Sequence, residues 1–133
     1  MSAATKHAAI RSYFASRWTS LGDGTTVVYE NLNYTPVTDT AFLVFGIRPV
    51  ESAWTAPGWA DSIGAVVVAA MTPANQGPEA AETLGTTVAT CLARQTSGGV
   101  QFDEATVENI GPDSQGWYQV NVRTPYWYPE STS

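Results

Sequence analysis

Residues 63–71 read IGAVVVAAM, the longest apolar run in the chain. A continuous apolar run of this length, bounded by turn residues, predicts a β-strand that is covered on both faces. The segment that follows, TPANQGP at residues 72–78, is expected to end the strand and to begin a helix at Pro78. Proline suits the first helical position because its missing N–H has no partner there anyway. A covered strand followed at once by a helix indicates helices packed on a sheet.

Upstream of this unit the pattern predicts one helix and two strands. Apolar side chains recur every three or four residues from Ile10 to Leu21, which predicts a helix over residues 3–21 with one buried face. β-Branched and aromatic residues predict strands at 26–30 and 41–48. Pro49 is expected to end the second strand, since proline cannot donate to a sheet ladder.

Downstream the pattern predicts a second helix and two strands. The helix has a buried stripe that includes Leu84, Val88, Cys91 and Leu92. Residues 100–110 read as a strand interrupted near 103–105, and residues 116–124 read as the last strand. Pro125 is expected to end the pairing. The predicted order is therefore α–β–β–β–α–β–β.

Length and element order together predict a single compact α+β domain over residues 1–133. We expect a mixed or antiparallel sheet of about five strands with two helices. Two segments are predicted to lie outside it: a long tryptophan-containing loop at 50–61 and a C-terminal extension at 126–133.

Composition argues against several classes of function. The chain has 12 acidic and 6 basic residues and a net charge of −6, which disfavours binding to nucleic-acid phosphates. One cysteine and one histidine disfavour a disulfide framework and a metal site, and no cofactor is expected. No nucleotide-binding or hydrolase motif is present, and the acids at 103, 104 and 108 have the pattern of a solvated strand. We expect no enzyme, and no run is long enough to span a membrane.

Aromatic and charged residues indicate an interaction surface. The first helix holds three basic residues and no acid, which leaves a net charge of −9 elsewhere. Five tryptophans are many for this length, and several fall outside the predicted core. Packing under the chain's own loop, simple charge balance and a carbohydrate-stacking platform remain open. The candidate interface residues are Arg11, Arg17, Trp54, Trp59, Trp127 and Tyr128.

Six short motifs carry a resemblance to a known family. They are SAAT at 2–5, YENLNYTP at 29–36, TP at 72–73, IGP at 110–112, GWYQVNV at 116–122 and PY at 125–126. In this arrangement the chain resembles the tail-terminator (tail-completion) proteins of long-tailed phages and tail-like particles. It departs from that family at 63–71, where an alternating aromatic strand would be expected.

The resemblance implies a structural role in a virion. Such proteins form a hexameric ring at the head-proximal, neck end of the tail, where they stop polymerisation of the tail tube. The implied partners are further copies of the chain, the tail-tube protein and the head–tail connector protein, with assembly in the host cytoplasm. DNA would pass the acidic lumen without specific binding. The alternatives are a head–tail connector or neck subunit, and a monomeric ligand- or glycan-binding module.

Overall fold

A computed structural model describes residues 3–22, 24–29, 40–56, 59–74, 78–97, 99–113 and 116–131. Within these ranges, residues 3–5, 49–56, 59–62 and 129–131 are described by their backbone alone. The elements are α1 (Ala3–Leu21), β1 (Thr26–Tyr29), β2 (Phe42–Ala56), β3 (Trp59–Pro73), α2 (Pro78–Leu92), β4 (Thr96–Ser97), β5 (Val100–Phe102), β6 (Thr106–Pro112) and β7 (Trp117–Ser131).

The strands form one mixed sheet in the order β1-β2-β3-β7-β5-β4, and β6 also pairs with β7. β1 is parallel to β2, and the other pairings are antiparallel. β7 pairs with β3 along one edge and with β6 and then β5 along the other. The predicted α+β class is confirmed. In the described part of the chain the sheet has seven strands, because the break at 103–105 separates β5 from β6 and the short β4 adds another.

The prediction of a loop at 50–61 is wrong, because residues 50–56 continue β2 and residues 59–61 belong to β3; residues 57–58 lie outside the described ranges. Each strand has 15 residues, so the hairpin is about 50 Å long. Pro49 does not end the ladder between β2 and β3. β1 pairs with β2 only as far as Phe45, so at Pro49 no described strand lies on the outer edge of β2 and no N–H is needed on that side. Register shifts after Pro49 and after Trp54 break the two-residue period, which hides the strand from pattern analysis.

Pro125 does not end the pairing either, since β7 runs on to Ser131. On one side Pro125 pairs with Ala65, and on the other it lies in the gap between the β6 and β5 pairings. Its carbonyl accepts a 2.8 Å hydrogen bond from the N–H of Asp103 across that gap. A backbone N–H at this position would face the same side, where no described strand pairs with Pro125, so its absence costs no ladder hydrogen bond there. Most of the predicted C-terminal extension therefore belongs to the sheet, and residues 132–133 lie outside the described ranges.

One face of the sheet packs against both helices and forms the core. The predicted helical stripes are confirmed except at Leu21, which is 43% exposed. Leu21 stays outside because the chain folds back at Gly22 directly over the Trp18 ring, which fills the space at the end of the helix. The main buried residues are Ile10, Phe14, Trp18, Leu43, Phe45, Val66, Val68, Ala70, Leu84, Val88, Leu92, Val120 and Val122.

The other side of the sheet, which we call the open face, has no described helix packed on it. Along β3, Val66, Val68 and Ala70 are buried beneath the helices, whereas Val67 and Ala69 point to the open face and are half-buried. The strand at 63–71 is confirmed; the described helices cover one of its faces, and on the other face Ala65 is buried although no described helix lies over it.

Candidate functional site

Arg11 lies on the outward side of α1 and is exposed. The helix contains no acidic residue, so its basic side chains have no carboxylate on their own element. Arg11 is close enough to His7 for its charge to matter. Partial burial lowers the pKa of His7, and the nearby Arg11 guanidinium lowers it further. The result is an exposed, permanent cation beside an imidazole whose neutral form is favoured.

Arg17 faces the end of α2. Its Nε donates a 3.2 Å hydrogen bond to the carbonyl of Cys91, and a second nitrogen reaches the carbonyl of Thr90 at 3.5 Å. The last carbonyls of a helix have no partner within the helix and carry partial negative charge, so a guanidinium there caps α2. Burial raises the pKa of the Cys91 thiol, and the Arg17 charge offsets part of that rise.

Lys6 and Tyr128 form a buried pair between α1 and β7. Lys6 is 7% exposed, and its Nζ lies 5.6 Å from the centre of the Tyr128 ring, a cation–π contact. Tyr128 is 2% exposed and stacks on Tyr126 with ring centres 6.1 Å apart. The structure thus places Tyr128, a predicted interface residue, in the core. Lys6 packs there too, a position that its residue type does not signal.

Trp127 is on the open face and 41% exposed. It lines an open pocket of about 310 Å³ together with Ile63, Asp103, Pro125 and Tyr126. Trp127 and Ile63 are cross-strand partners on this face. The predicted interface residue Trp127 is therefore presented to solvent beside apolar walls and one carboxylate.

Asp103 is held at this pocket by its backbone. Its N–H donates to the carbonyl of Pro125 at 2.8 Å, and its carbonyl accepts from the N–H of Arg94 at 3.1 Å. Its Oδ1 accepts a 2.8 Å hydrogen bond from the N–H of Glu104. Residue type gave no hint of this role, and the signal that could have found it is the strand break at 103–105 opposite Pro125.

Trp54 and Trp59 lie on the two strands of the hairpin. Trp54 pairs with Ala60, and Trp59 pairs with Ala56. Their side chains are outside the described part of the structure. The structure therefore places these two predicted interface residues on the same hairpin, and their contacts stay a prediction.

The other acids whose side chains the structure describes lie on the surface. Glu104 forms an ion pair with Arg94. Glu79 and Glu82 border an open depression on α2, where the amide of Asn109 donates to Glu82 at 3.3 Å. Within the described ranges no three His, Cys, Asp or Glu side chains are grouped as metal ligands would be. In the same ranges no helix is both long and apolar enough to cross a membrane.

Comparison with known proteins shows what the fold resembles. No protein-family model matches the chain, and no curated protein sequence matches it. One similar solved structure, whose name gives no functional description, has a TM-score of 0.74 and 17% identity over 96% of both chains. Another is a chain of the virion of a native gene transfer agent (GTA) particle, with a TM-score of 0.62 and 16% identity over 92% of this chain and 93% of that one. The chain therefore shares its fold, over nearly its whole length, with a chain of that particle.

Proposed function

We propose that this protein is a structural subunit of a phage-like particle and that it acts as a tail terminator. In this proposal copies of the chain form a hexameric ring at the head-proximal end of the tail tube. The ring stops tube polymerisation and presents a surface to the head–tail connector. The role requires no catalysis and no cofactor.

The observation that carries the proposal is the shared fold with a chain of the GTA particle, which extends over more than nine-tenths of both chains. Because the match covers nearly all of both chains, the two share an entire subunit fold and more than a single common motif. The sequence resemblance to tail terminators points to the same class of particle.

The distribution of side chains supports a ring. A subunit of this length has a radius of gyration of about 14 Å, so several copies are needed to surround DNA. A closed ring requires two different surfaces on each subunit that meet head to tail. Arg11 lies on the helix side of the sheet, and Trp127 lies on the open face. The chain thus offers two unlike surfaces on opposite sides.

Tail assembly in vitro tests the proposal. Purified protein would be measured by light scattering and electron microscopy, alone and with the tube protein of its source particle. We expect rings, either free or on one end of each tube, and shorter tubes as the protein concentration rises. A chain that stays monomeric and leaves tube length unchanged would contradict the proposal.

The same preparation separates the alternatives. Binding to the head connector without effect on tube growth would indicate a neck subunit. Monomers whose tryptophan fluorescence changes on adding glycans would indicate a carbohydrate-binding module.

A further inference from the structure

The Trp127 pocket has the chemistry of a guanidinium site. Its walls are the Trp127 indole, Ile63 and Pro125, and its acidic group is the carboxylate of Asp103. A planar guanidinium stacks on an indole face and forms hydrogen bonds to a carboxylate with its edge. Asp103 is exposed and its side chain accepts only a local backbone hydrogen bond among the described residues, so oxygen lone pairs remain for such a partner.

Arg11 is the cation best placed to enter this pocket from another copy. It is exposed, it lies on a helix without acids, and no described side chain forms an ion pair with it. The other basic residues are less suited. Lys6 is buried, and Arg17 and Arg94 are already bonded to groups of their own chain. Arg48 and Arg123 lie on the same open face as the pocket.

The two partners lie on opposite sides of one sheet. Arg11 belongs to α1, whose apolar side covers the core face, whereas Trp127 points to the open face. A single chain therefore cannot close the contact on itself. A contact between opposite sides of identical subunits repeats head to tail, and such a repeat closes into a ring when its rotation permits.

We propose that the Trp127 pocket of one copy binds Arg11 of the next copy, with the guanidinium between the indole and the Asp103 carboxylate. This inference rests on the proposed ring and names its two contacting surfaces. The occupant is a second copy of this chain.

Charge reversal tests the contact. Arg11→Glu and Asp103→Arg each place like charges together at every interface, so we expect either variant alone to need at least about tenfold higher concentration to assemble. Mixed in equal amounts, the two variants can alternate around an even-numbered ring so that every interface joins opposite charges. We therefore expect the mixture, and also the double variant, to assemble as the wild type does.

Two controls accompany the measurement. Glu79→Arg makes the same charge change as Asp103→Arg but on the acidic surface of α2, and it should assemble normally. Asp103→Asn keeps the acceptor for the Glu104 N–H and loses only the charge, so it should weaken assembly. It tests the contact independently if Asp103→Arg does not fold. Circular dichroism melts would establish that each variant is folded.

The outcomes distinguish the contact from the proposed function. Rings that form equally well in both reversed variants would overturn the contact and leave the ring intact. Charge-dependent rings that never affect tube growth would support the contact and contradict the terminator role. A wild-type chain that stays monomeric at every concentration, with and without tube protein, would overturn both.

Discussion

Two buried threonine hydroxyls have no hydrogen-bond partner among the described residues. They are the Oγ1 atoms of Thr72 and Thr124, and Thr124 lies on the core side of β7 opposite Val66. A buried polar atom that loses its bonds to water without replacing them costs about 1–3 kcal/mol. These two positions therefore reduce the stability of an otherwise apolar sheet.

We predict that Thr124→Val stabilises the protein. Valine has nearly the same shape and removes the unsatisfied hydroxyl, so unfolding should cost about 1 kcal/mol more and Tm should rise by a few degrees. Thermal melts followed by circular dichroism would measure this. Thr124→Ser is the matched control, because it keeps the hydroxyl, loses the methyl group and should lower Tm. A loss of stability in Thr124→Val would mean that the hydroxyl has a partner.

Tyr126 predicts a loss of stability in alkaline solution. Burial, with a smaller contribution from Tyr128, raises the pKa of Tyr126 from 10.0 to about 12. The unfolded chain therefore loses this proton at lower pH than the folded chain does. Because the group's folded pKa is the higher one, its contribution is fully present below pH 10 and is lost as the pH rises to about 12.

Tyr126→Phe should flatten this decline, since the ring remains and the ionisable group is gone. Melting temperatures measured from pH 9 to 12 would show the difference between the two proteins. Some decline should persist in the variant because burial also raises the pKa of Tyr29. An unchanged pH profile in Tyr126→Phe would contradict the assignment to Tyr126.

At the scale of elements, α2 is held at both its end and its side. Arg17 binds the carbonyls at its C-terminal end, and Gly85 lets the helix approach β7 closely. A Cβ atom added at Gly85 would lie 2.9 Å from Cγ1 of Val120. Glycine is therefore present for packing, in spite of its low helix propensity.

We predict that Gly85→Ala destabilises the protein by about 1–3 kcal/mol. In an exposed helix the same change would stabilise by about 1 kcal/mol, but here the new methyl group collides with a branched side chain. Urea denaturation would measure the free energy of unfolding. A second change, Val120→Ala, should make room, so the double variant should lose less than the sum of the two single losses.

Arg17→Gln should lower stability by about 0.5–1 kcal/mol, because it removes the charge and part of the hydrogen bonding at the end of α2. Arg11→Gln on the same helix is the matched control and should change the free energy of unfolding by less than about 0.5 kcal/mol. Equal losses in the two variants would argue against the capping role.

The elements differ in how far the sequence could predict them. Both helices were predictable because their apolar stripes depend on local spacing, as with Leu84, Val88 and Leu92. The far half of the hairpin was not, because the two register shifts disrupt its alternation and Pro49 lies at an edge that no described strand occupies. The prediction that Pro125 ends the last strand was wrong for a similar reason. Pro125 is tolerated because it lies opposite the gap between β5 and β6, and that gap exists only in the folded sheet.

The candidate site shows the same limit. Trp127 was expected in a C-terminal extension, whereas it lies within β7 and is exposed because strand alternation places it on the open face. The positions of Tyr128 and Arg17 did not, because both depend on which elements meet in space: β7 with α1 in one case and α1 with α2 in the other. Asp103 is held at the pocket by its backbone hydrogen bonds to Pro125 and Arg94, which lie 22 and 9 residues away in the chain.

At the scale of the whole molecule, β7 holds the sheet together. It pairs with β3, β5 and β6 and packs against α2, so the sheet would separate without it. We predict that a chain ending at Gly116 does not fold, whereas one ending at Ser131 does. Circular dichroism and limited proteolysis would compare them. A cooperative melt in the shorter chain would show that the remaining strands suffice.

The central position of β7 has a consequence for biosynthesis. The apolar strand β3 leaves the ribosome 58 residues before the end of its partner, counted from Pro73 to Ser131. At usual translation speeds this is an interval of roughly 3–12 seconds. During this interval the edge of β3 that later pairs with β7 is unpaired, and the side chains of Val66, Val68 and Ala70 lack their neighbours on β7. We therefore expect newly made chains to bind a chaperone that recognises short apolar segments.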